Sequence, residues 1–180
     1  VLPRSVDVAR EGEAEAIGDG SAFFDEDNAD YIEISDDAVF TGTAGFSVDC
    51  WIKFVSINGN TCIVAKHADY ADVDNTREFF IINDDGICEF VVLDHTNSAS
   101  IGTYTGAVFA VDTWYHVACT HDGGTASAGC LVYINGILQT HNANATGSGF
   151  ADVNDTSQPL RIGAFADDGE PHDGYVSQVG

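Results

Sequence analysis

The sequence predicts an all-β fold: an antiparallel two-sheet β-sandwich of the jelly-roll type, preceded by a short N-terminal arm. From residue 21 onward, apolar and polar residues alternate with a period of two, which is the period of a half-buried strand. Apolar segments recur about every ten residues, and turn sequences separate them. No window after residue 20 has helical periodicity. This spacing is typical of sandwiches and barrels.

The arm comprises residues 1–18, which are rich in alanine and glutamate and poor in large apolar residues. Their composition is compatible with an extended arm, a short helix or a linker. Residues 19–180 form the predicted domain, because a chain of 180 residues suits one domain with a core of its own.

The clearest strand covers residues 46–54, where alternation places five apolar residues on one face: Phe46, Val48, Cys50, Ile52 and Phe54. Trp51 falls on the opposite face, where it is a candidate for ligand binding. For both Trp51 and Trp114, the other interpretation is packing within the fold. Further strands are predicted at residues 31–34, 61–66, 78–83, 87–93, 101–105, 114–120, 130–135, 137–141 and 160–164. Asn83-Asp84-Asp85-Gly86 and Asn135-Gly136 suit the positive φ angles of tight hairpins.

The charge balance restricts the partners of this protein. Six basic and 29 acidic residues give a net charge of −23. A surface this negative repels phosphate backbones and anionic lipids, which disfavours nucleic acid and anionic membrane surfaces as partners. The apolar runs are too short to predict membrane insertion.

The five cysteines allow two interpretations. None lies in a CxxC motif or at zinc-ligand spacing, and each belongs to an apolar, strand-like stretch. One interpretation is that all five are small buried core residues. The other is a cross-strand disulfide, for which Cys119 and Cys130 are the best candidates because they flank a predicted hairpin loop.

Several passages resemble the laminin-G-like, concanavalin A-like lectin/glucanase jelly rolls over residues 20–179. The most specific is Trp-Tyr-His-Val-Ala at 114–118, followed by Asp-Gly at 122–123 and Tyr-Ile-Asn-Gly at 133–136. Residues 20–25, 30–34, 46–53, 159–163 and 172–176 resemble the other strands. The family's last strand continues through an acidic pair where this chain has Ser177-Gln178. We therefore expect a lost or truncated closing strand, which leaves the family's metal ligand at that place in doubt.

The resemblance implies a non-catalytic recognition or adhesion module at a cell surface or outside the cell, whose partner is a carbohydrate or a protein surface. An alternative is a virion surface, decoration, fibre or filament protein. The arm and an edge left open by a missing strand would favour such self-assembly. A second alternative is a glycoside hydrolase, because some related jelly rolls are glucanases.

Catalysis is disfavoured by the residue pattern. A retaining glycosidase needs two carboxylates about 5.5 Å apart, and no predicted strand presents such a pair. Glu33 and Asp36 are out of phase, and we expect Glu78 and Glu89 on solvated strand faces. We expect His116 to be a core or second-layer histidine that bonds the backbone. The six histidines show no zinc motif, and no hydrolase serine motif is present. The sequence therefore predicts no enzyme.

The acidic residues concentrate in loops and raise the question of calcium. Oxygen ligands on loops suit Ca²⁺, and the resemblance places the first and last strands side by side. The predicted ligands are Asp25, Asp27, Asn28 and Asp30, with Asp173 as a further partner. The other interpretation is a solvated acidic rim that maintains solubility.

Sugar recognition needs an aromatic platform with planar polar groups beside it. The predicted ligand-binding residues are His67, Tyr70, Asn75 and Arg77. Tyr104 and Phe150 are further aromatic candidates. Because basic residues are few, acidic glycans are poor ligands unless calcium bridges them.

Overall fold

The computed structural model describes residues 20–36, 45–67, 77–166 and 169–180, so the arm predicted at 1–18 lies outside the described residues. Within them the chain is all-β, as predicted, with short 3₁₀ turns and no α-helix. The strands are β1 (Ser21–Phe24), β2 (Ile32–Ile34), β3 (Phe46–Phe54), β4 (Asn60–His67), β5 (Arg77–Asp84), β6 (Ile87–Asp94), β7 (Ala99–Ala107), β8 (Trp114–His121), β9 (Cys130–Ile134), β10 (Ile137–Leu138), β11 (Asn142–Thr146), β12 (Leu160–Ile162) and β13 (Gly174–Ser177). No helix in the described part of the chain has the length and apolar character needed to cross a membrane.

The strands form two antiparallel sheets, which confirms the predicted sandwich. One sheet has six strands in the order β1-β13-β3-β8-β9-β10, and the other has seven in the order β11-β7-β6-β5-β4-β12-β2. The main core lies between the sheets and includes Phe24, Phe54, Phe90 and Val117. A second apolar cluster, which includes Cys62, Phe80, Val91 and Phe165, packs separately from this core.

Strand β3 shows why the fold follows the alternation. Cys50, Ile52 and Phe54 are at most 2% exposed, whereas Trp51 is 40% exposed. The turn at Asn135-Gly136 has φ angles of 52° and 75°. These angles match the two left-handed positions of a tight hairpin, so the predicted turn between β9 and β10 is confirmed.

The closing strand is short but present, so of the two expectations, loss and truncation, the loss is wrong. Strand β13 lies inside the six-stranded sheet, where it pairs with β1 on one side and β3 on the other. Beyond it, Gly180 and Asp49 exchange two backbone hydrogen bonds of 2.9 Å. Val176 is 3% exposed, so its burial holds this short strand in place. The edge that a missing closing strand would have left open is therefore paired, and β1 and β10 are the edge strands of this sheet.

The interpretation of the cysteines as buried core residues is confirmed, and the alternative of a Cys119–Cys130 disulfide is wrong. All five are free and buried. Register explains the absence of a Cys119–Cys130 bond: Cys119 lies opposite Val132, whereas Cys130 lies opposite His121. The two cysteines are thus not directly opposed across the hairpin.

Candidate functional site

A groove opens on the outer face of the seven-stranded sheet, and we call it the sheet groove. Its volume is about 280 Å³. Strands β4, β5, β6, β7 and β11 supply the lining side chains, which are His67, Phe80, Glu89, Val91, Leu93, Ser100, Asn144 and Thr146. The groove therefore lies across the sheet, and side chains from successive strands define its floor and walls.

Strand register brings these side chains to one face. Leu93 lies opposite Ser100, which lies opposite Thr146. Directly paired residues share a face of a sheet, so each row across the strands points into the same space. In the next row, Gly102 pairs with both Val91 and Asn144. A Cβ at Gly102 would clash with the Phe90 carbonyl oxygen, so only glycine fits where β7 approaches β6.

The polar groups of the groove are arranged in two pairs. The Asn144 amide donates a hydrogen bond to a carboxylate oxygen of Glu89. The hydroxyls of Ser100 and Thr146 lie 2.7 Å apart and share a hydrogen bond. Burial and the nearby Asp84 raise the pKa of Glu89, and the bond from Asn144 opposes that shift. The groove thus offers amide, carboxylate and hydroxyl groups within one small space.

The floor is apolar and includes one of the predicted ligand-binding residues. Phe80 and Val91 are 7% and 3% exposed. His67 is 2% exposed, and its ring stacks on Phe165 at 4.8 Å and meets the edge of Phe80 at 5.5 Å. His67 therefore lines the groove as part of a rigid aromatic stack.

The remaining predicted ligand residues do not line the groove among the described residues. Tyr70 and Asn75 lie outside the described residues. Arg77 begins β5 and lies opposite His67 in register. Tyr104 is 41% exposed and occupies the groove face beside Asn142, whereas Phe150 packs against the main core.

Sequence reasoning missed Ser100, Asn144 and Thr146, although they supply most of the groove's polar groups. The signal was present in residues 142–146, Asn-Ala-Asn-Ala-Thr, where polar residues alternate with alanine. Such a pattern is typical of a strand with one polar face. The pattern does not predict the neighbouring strand, because β11 pairs with β7, which lies far from it along the chain.

The acidic rim forms where the first and last strands meet. Phe24 pairs with Gly174, which brings residues 25–30 close to Asp173. Burial raises the pKa of Asp173, and the nearby carboxylates of Glu26, Asp25 and Asp27 raise it further. The predicted approach of the two loops is therefore confirmed for Asp173.

The rim carboxylates make hydrogen bonds within their own loop. The Asp25 carboxylate accepts from the Asp27 backbone N–H at 3.0 Å and from the Asn28 amide at 2.6 Å. Asp30 accepts from the Asp25 backbone N–H at 3.2 Å. Among the described residues, no three His, Cys, Asp or Glu side chains are grouped so that they could hold a metal ion. Calcium binding at the rim stays a prediction.

Two side chains differ from their expected environments. His116 is not a buried histidine bonded to the backbone: it is 31% exposed and lies 3.2 Å from the Asp49 carboxylate. Glu78 is not on a solvated face: it is 1% exposed and lies 2.6 Å from the Lys66 ammonium. The Thr156 backbone N–H also donates to Glu78, because the segment before β12 covers this end of β5.

The groove contains less than glycoside hydrolysis requires. Glu89 is its one carboxylate among the described lining residues, whereas the usual mechanisms employ two. Amide, carboxylate and hydroxyl groups above an apolar floor are suited to binding a polyhydroxylated ligand.

The sequence profile of the laminin-G branch of the concanavalin A-like lectin/glucanases superfamily matches residues 26–180. No curated protein sequence matches significantly. Among solved structures, domains LG4-5 of the mouse laminin α1 chain align with a TM-score of 0.61 at 13% identity, covering 89% of this chain and 40% of that one. The NanB sialidase of Streptococcus pneumoniae gives a TM-score of 0.63 at 16% identity, covering 89% of this chain and 25% of the sialidase.

A third similar structure is close to this chain in length. The CBM40 of the Ruminococcus gnavus IT-sialidase, bound to α2,3-sialyllactose, gives a TM-score of 0.56 at 15% identity, covering 83% of this chain and 86% of that one. By contrast, the chain spans under half of the laminin fragment and a quarter of the NanB sialidase. These structural alignments show the fold alone, whereas the family profile covers most of the chain. The chain therefore belongs to the concanavalin A-like lectin/glucanase superfamily, in its laminin-G branch.

Proposed function

We propose that this chain is a non-catalytic carbohydrate-binding module that acts at a cell surface or outside the cell, and that the sheet groove is its sugar site. One observation carries the proposal: the Asn144–Glu89 pair and the Ser100–Thr146 pair face one groove above an apolar floor. The amide and carboxylate supply planar groups for sugar hydroxyls, and the floor accepts the C–H face of a sugar ring.

The charge of the protein selects among glycans. The groove contains the Glu89 carboxylate, and the chain has a net charge of −23. Both repel sulfated and carboxylated sugars, so the proposed ligand is a neutral oligosaccharide. The structural likeness to the CBM40 supports carbohydrate binding in general, and the charge favours a different class of sugar from sialyllactose.

A glycan array followed by titration calorimetry tests the groove. We expect Asn144→Ala to weaken binding of the best neutral glycan about tenfold, because Glu89 and the ligand both lose a hydrogen-bond donor. Asn142→Ala is the matched control: it lies on the same strand and face but does not line the groove, so its affinity should equal that of the unsubstituted protein. Equal affinities for all three proteins, or no glycan binding at all, would contradict the proposal.

The acidic rim gives a separate prediction on stability. Burial and three neighbouring carboxylates raise the pKa of Asp173, so its ionised form destabilises the fold at neutral pH, and acidification below the raised pKa relieves this. We therefore expect Asp173→Asn to raise Tm at pH 7 and low ionic strength. The gain should shrink as salt is added, because salt screens the repulsion. An unchanged or lower Tm would contradict the role assigned to these carboxylates.

The same melting experiment decides the calcium prediction. A calcium site at the rim would raise the Tm of the unsubstituted protein at about 1 mM Ca²⁺, the affinity range of extracellular modules. A chelator should reverse the rise, and Asp173→Asn should remove it. If Tm does not change with calcium, the rim is a solvated acidic surface.

A further inference from the structure

The outer face of the six-stranded sheet contains more aromatic side chains than a water-facing sheet surface normally does. We call this surface the aromatic face, and its members are Phe23, Trp51, Lys53, Trp114, His116 and Tyr175. Register places them in two adjacent rows. Trp51 lies opposite His116, and in the neighbouring row Lys53 lies opposite both Trp114 and Tyr175.

In the row that contains Lys53, the aromatic rings contact one another at tilted angles. The Phe23 and Tyr175 rings lie 4.9 Å apart, and Tyr175 lies 6.3 Å from Trp114. The Lys53 ammonium sits 4.4 Å from the centre of the Tyr175 ring and 5.9 Å from that of Trp114. These contacts engage the rings of this row with one another and with the lysine.

Trp51 differs from the rings of the Lys53 row because much of its side chain is exposed to solvent. Its side chain is 40% exposed, and the His116 ring lies 5.4 Å away at 57°. His116 Nε2 lies 3.2 Å from the Asp49 carboxylate, which orients the imidazole beside the indole. An indole face with a carboxylate and an imidazole next to it offers a stacking surface together with hydrogen-bonding groups.

This surface is separate from the sheet groove. Trp51, His116 and Asp49 belong to β3 and β8 of the six-stranded sheet, whereas the groove lies on the outside of the seven-stranded sheet. The main core lies between the two sheets. A ligand at one surface therefore cannot contact the other.

The chemistry of the aromatic face favours a sugar over a second copy of this chain. An interface between two copies would bring together two chains of net charge −23, and their repulsion opposes association. A neutral pyranose carries no such penalty. Its C–H face can stack on the Trp51 indole, and its hydroxyls can form hydrogen bonds with Asp49 and His116.

We propose that the aromatic face is a second carbohydrate site, where a neutral pyranose ring stacks on Trp51 and its hydroxyls bond Asp49 and His116. This proposal rests on the proposed function in one respect, the class of ligand, which is a neutral carbohydrate. With sites on opposite faces, one chain can bridge two glycan chains. On a surface that displays many glycans, this bridging raises the apparent affinity without any new contact.

Titration calorimetry with a neutral oligosaccharide selected on the array tests the second site. We expect two binding events per chain for the unsubstituted protein, one of which is weakened by Trp51→Ala and the other by Asn144→Ala. Trp51→Phe keeps a ring and should retain the second site, whereas Trp51→Ala should weaken it tenfold or more. Ser177→Ala, which alters the other neighbour of Trp51 in register, should still bind two ligands. Circular dichroism checks that each variant is folded.

The outcomes separate the two proposals. A single binding event per chain, weakened by Asn144→Ala and unaffected by Trp51→Ala, overturns the second site and leaves the groove in place. Binding to no glycan overturns both. Sedimentation that reveals a concentration-dependent dimer, abolished by Trp51→Ala, would assign the aromatic face to a protein interface and overturn the second site.

Discussion

Replacing Lys66 with methionine is expected to lower the free energy of unfolding by about 3–5 kcal/mol, the usual cost of removing one partner from a buried ion pair. Lys66 is fully buried and lies 2.6 Å from Glu78 and 2.8 Å from Asp36. It also donates to the Thr156 carbonyl oxygen at 3.1 Å. Without the ammonium, the buried Glu78 carboxylate keeps, among the described residues, the N–H and hydroxyl of Thr156 as donors.

The pKa values of Lys66 and Glu78 are shifted both by burial and by the hydrogen bond between them. Burial lowers the pKa of Lys66, but its hydrogen bonds to Asp36 and Glu78 outweigh this and raise it overall. Burial raises the pKa of Glu78, which the bonds from Lys66 and Thr156 only partly offset. In the Lys66→Met variant, Glu78 should therefore take up a proton more readily. The loss of stability should then be largest at neutral pH and shrink on acidification.

Urea unfolding followed by circular dichroism measures this effect without the screening that guanidinium salt would add to so acidic a protein. Lys53→Met is the matched control, because Lys53 is half-exposed and, within the described part of the chain, makes cation–π contacts rather than ion pairs. This substitution should cost under about 1 kcal/mol. The double variant Lys66→Met with Glu78→Leu should recover part of the loss, since it removes both charges together. A Lys66→Met variant as stable as the Lys53→Met control would contradict the role of the pair.

The Lys66–Glu78 pair also illustrates the limit of reasoning from sequence. Alternation along residues 46–54 predicted which side chains of β3 face the core and which face outward, because that pattern is local. Nothing local distinguishes Glu78 from a solvated glutamate. Its burial depends on the segment at Thr156, which is 78 residues away along the chain and covers it in the fold.

The sheet groove shows the same difference between residues with a local sequence signal and residues whose role depends on long-range pairing. His67 was predicted as a ligand residue because it lies close to Tyr70, Asn75 and Arg77 in sequence, and the structure places it in the groove lining. Asn144 was missed because its role depends on β11 pairing with β7 and on Glu89 lying in the next strand over. Strand order is a property of the whole chain, so the pattern of one strand does not predict it.

His172 makes the fold sensitive to acid, and replacing it with leucine is expected to remove that sensitivity. The His172 side chain is fully buried between the Phe24 and Phe54 rings, and neither ring nitrogen has a hydrogen-bond partner among the described residues. Burial lowers its pKa to about 3 from an ordinary value of 6.5. The folded state therefore holds the neutral imidazole, while the unfolded state binds a proton at mildly acidic pH.

The direction of the pH effect follows from this difference. The stability tied to a neutral His172 is fully present above pH 6.5 and is lost progressively as the pH falls toward 3. At pH 5 the loss is about 2 kcal/mol relative to pH 8. Because acid also relieves repulsion among the carboxylates, the quantity to measure is the difference in free energy of unfolding between His172→Leu and the unsubstituted protein.

We expect that difference to shift in favour of the leucine variant by about 2 kcal/mol between pH 8 and pH 5. At pH 8 the variant should be at least as stable as the unsubstituted protein, because it removes two buried nitrogens that lack partners. His141→Leu is the control: His141 is exposed, and its substitution should leave the pH dependence unchanged. If His172→Leu and the unsubstituted protein lose stability in parallel from pH 8 to pH 5, then His172 is not the group that links this fold to acid.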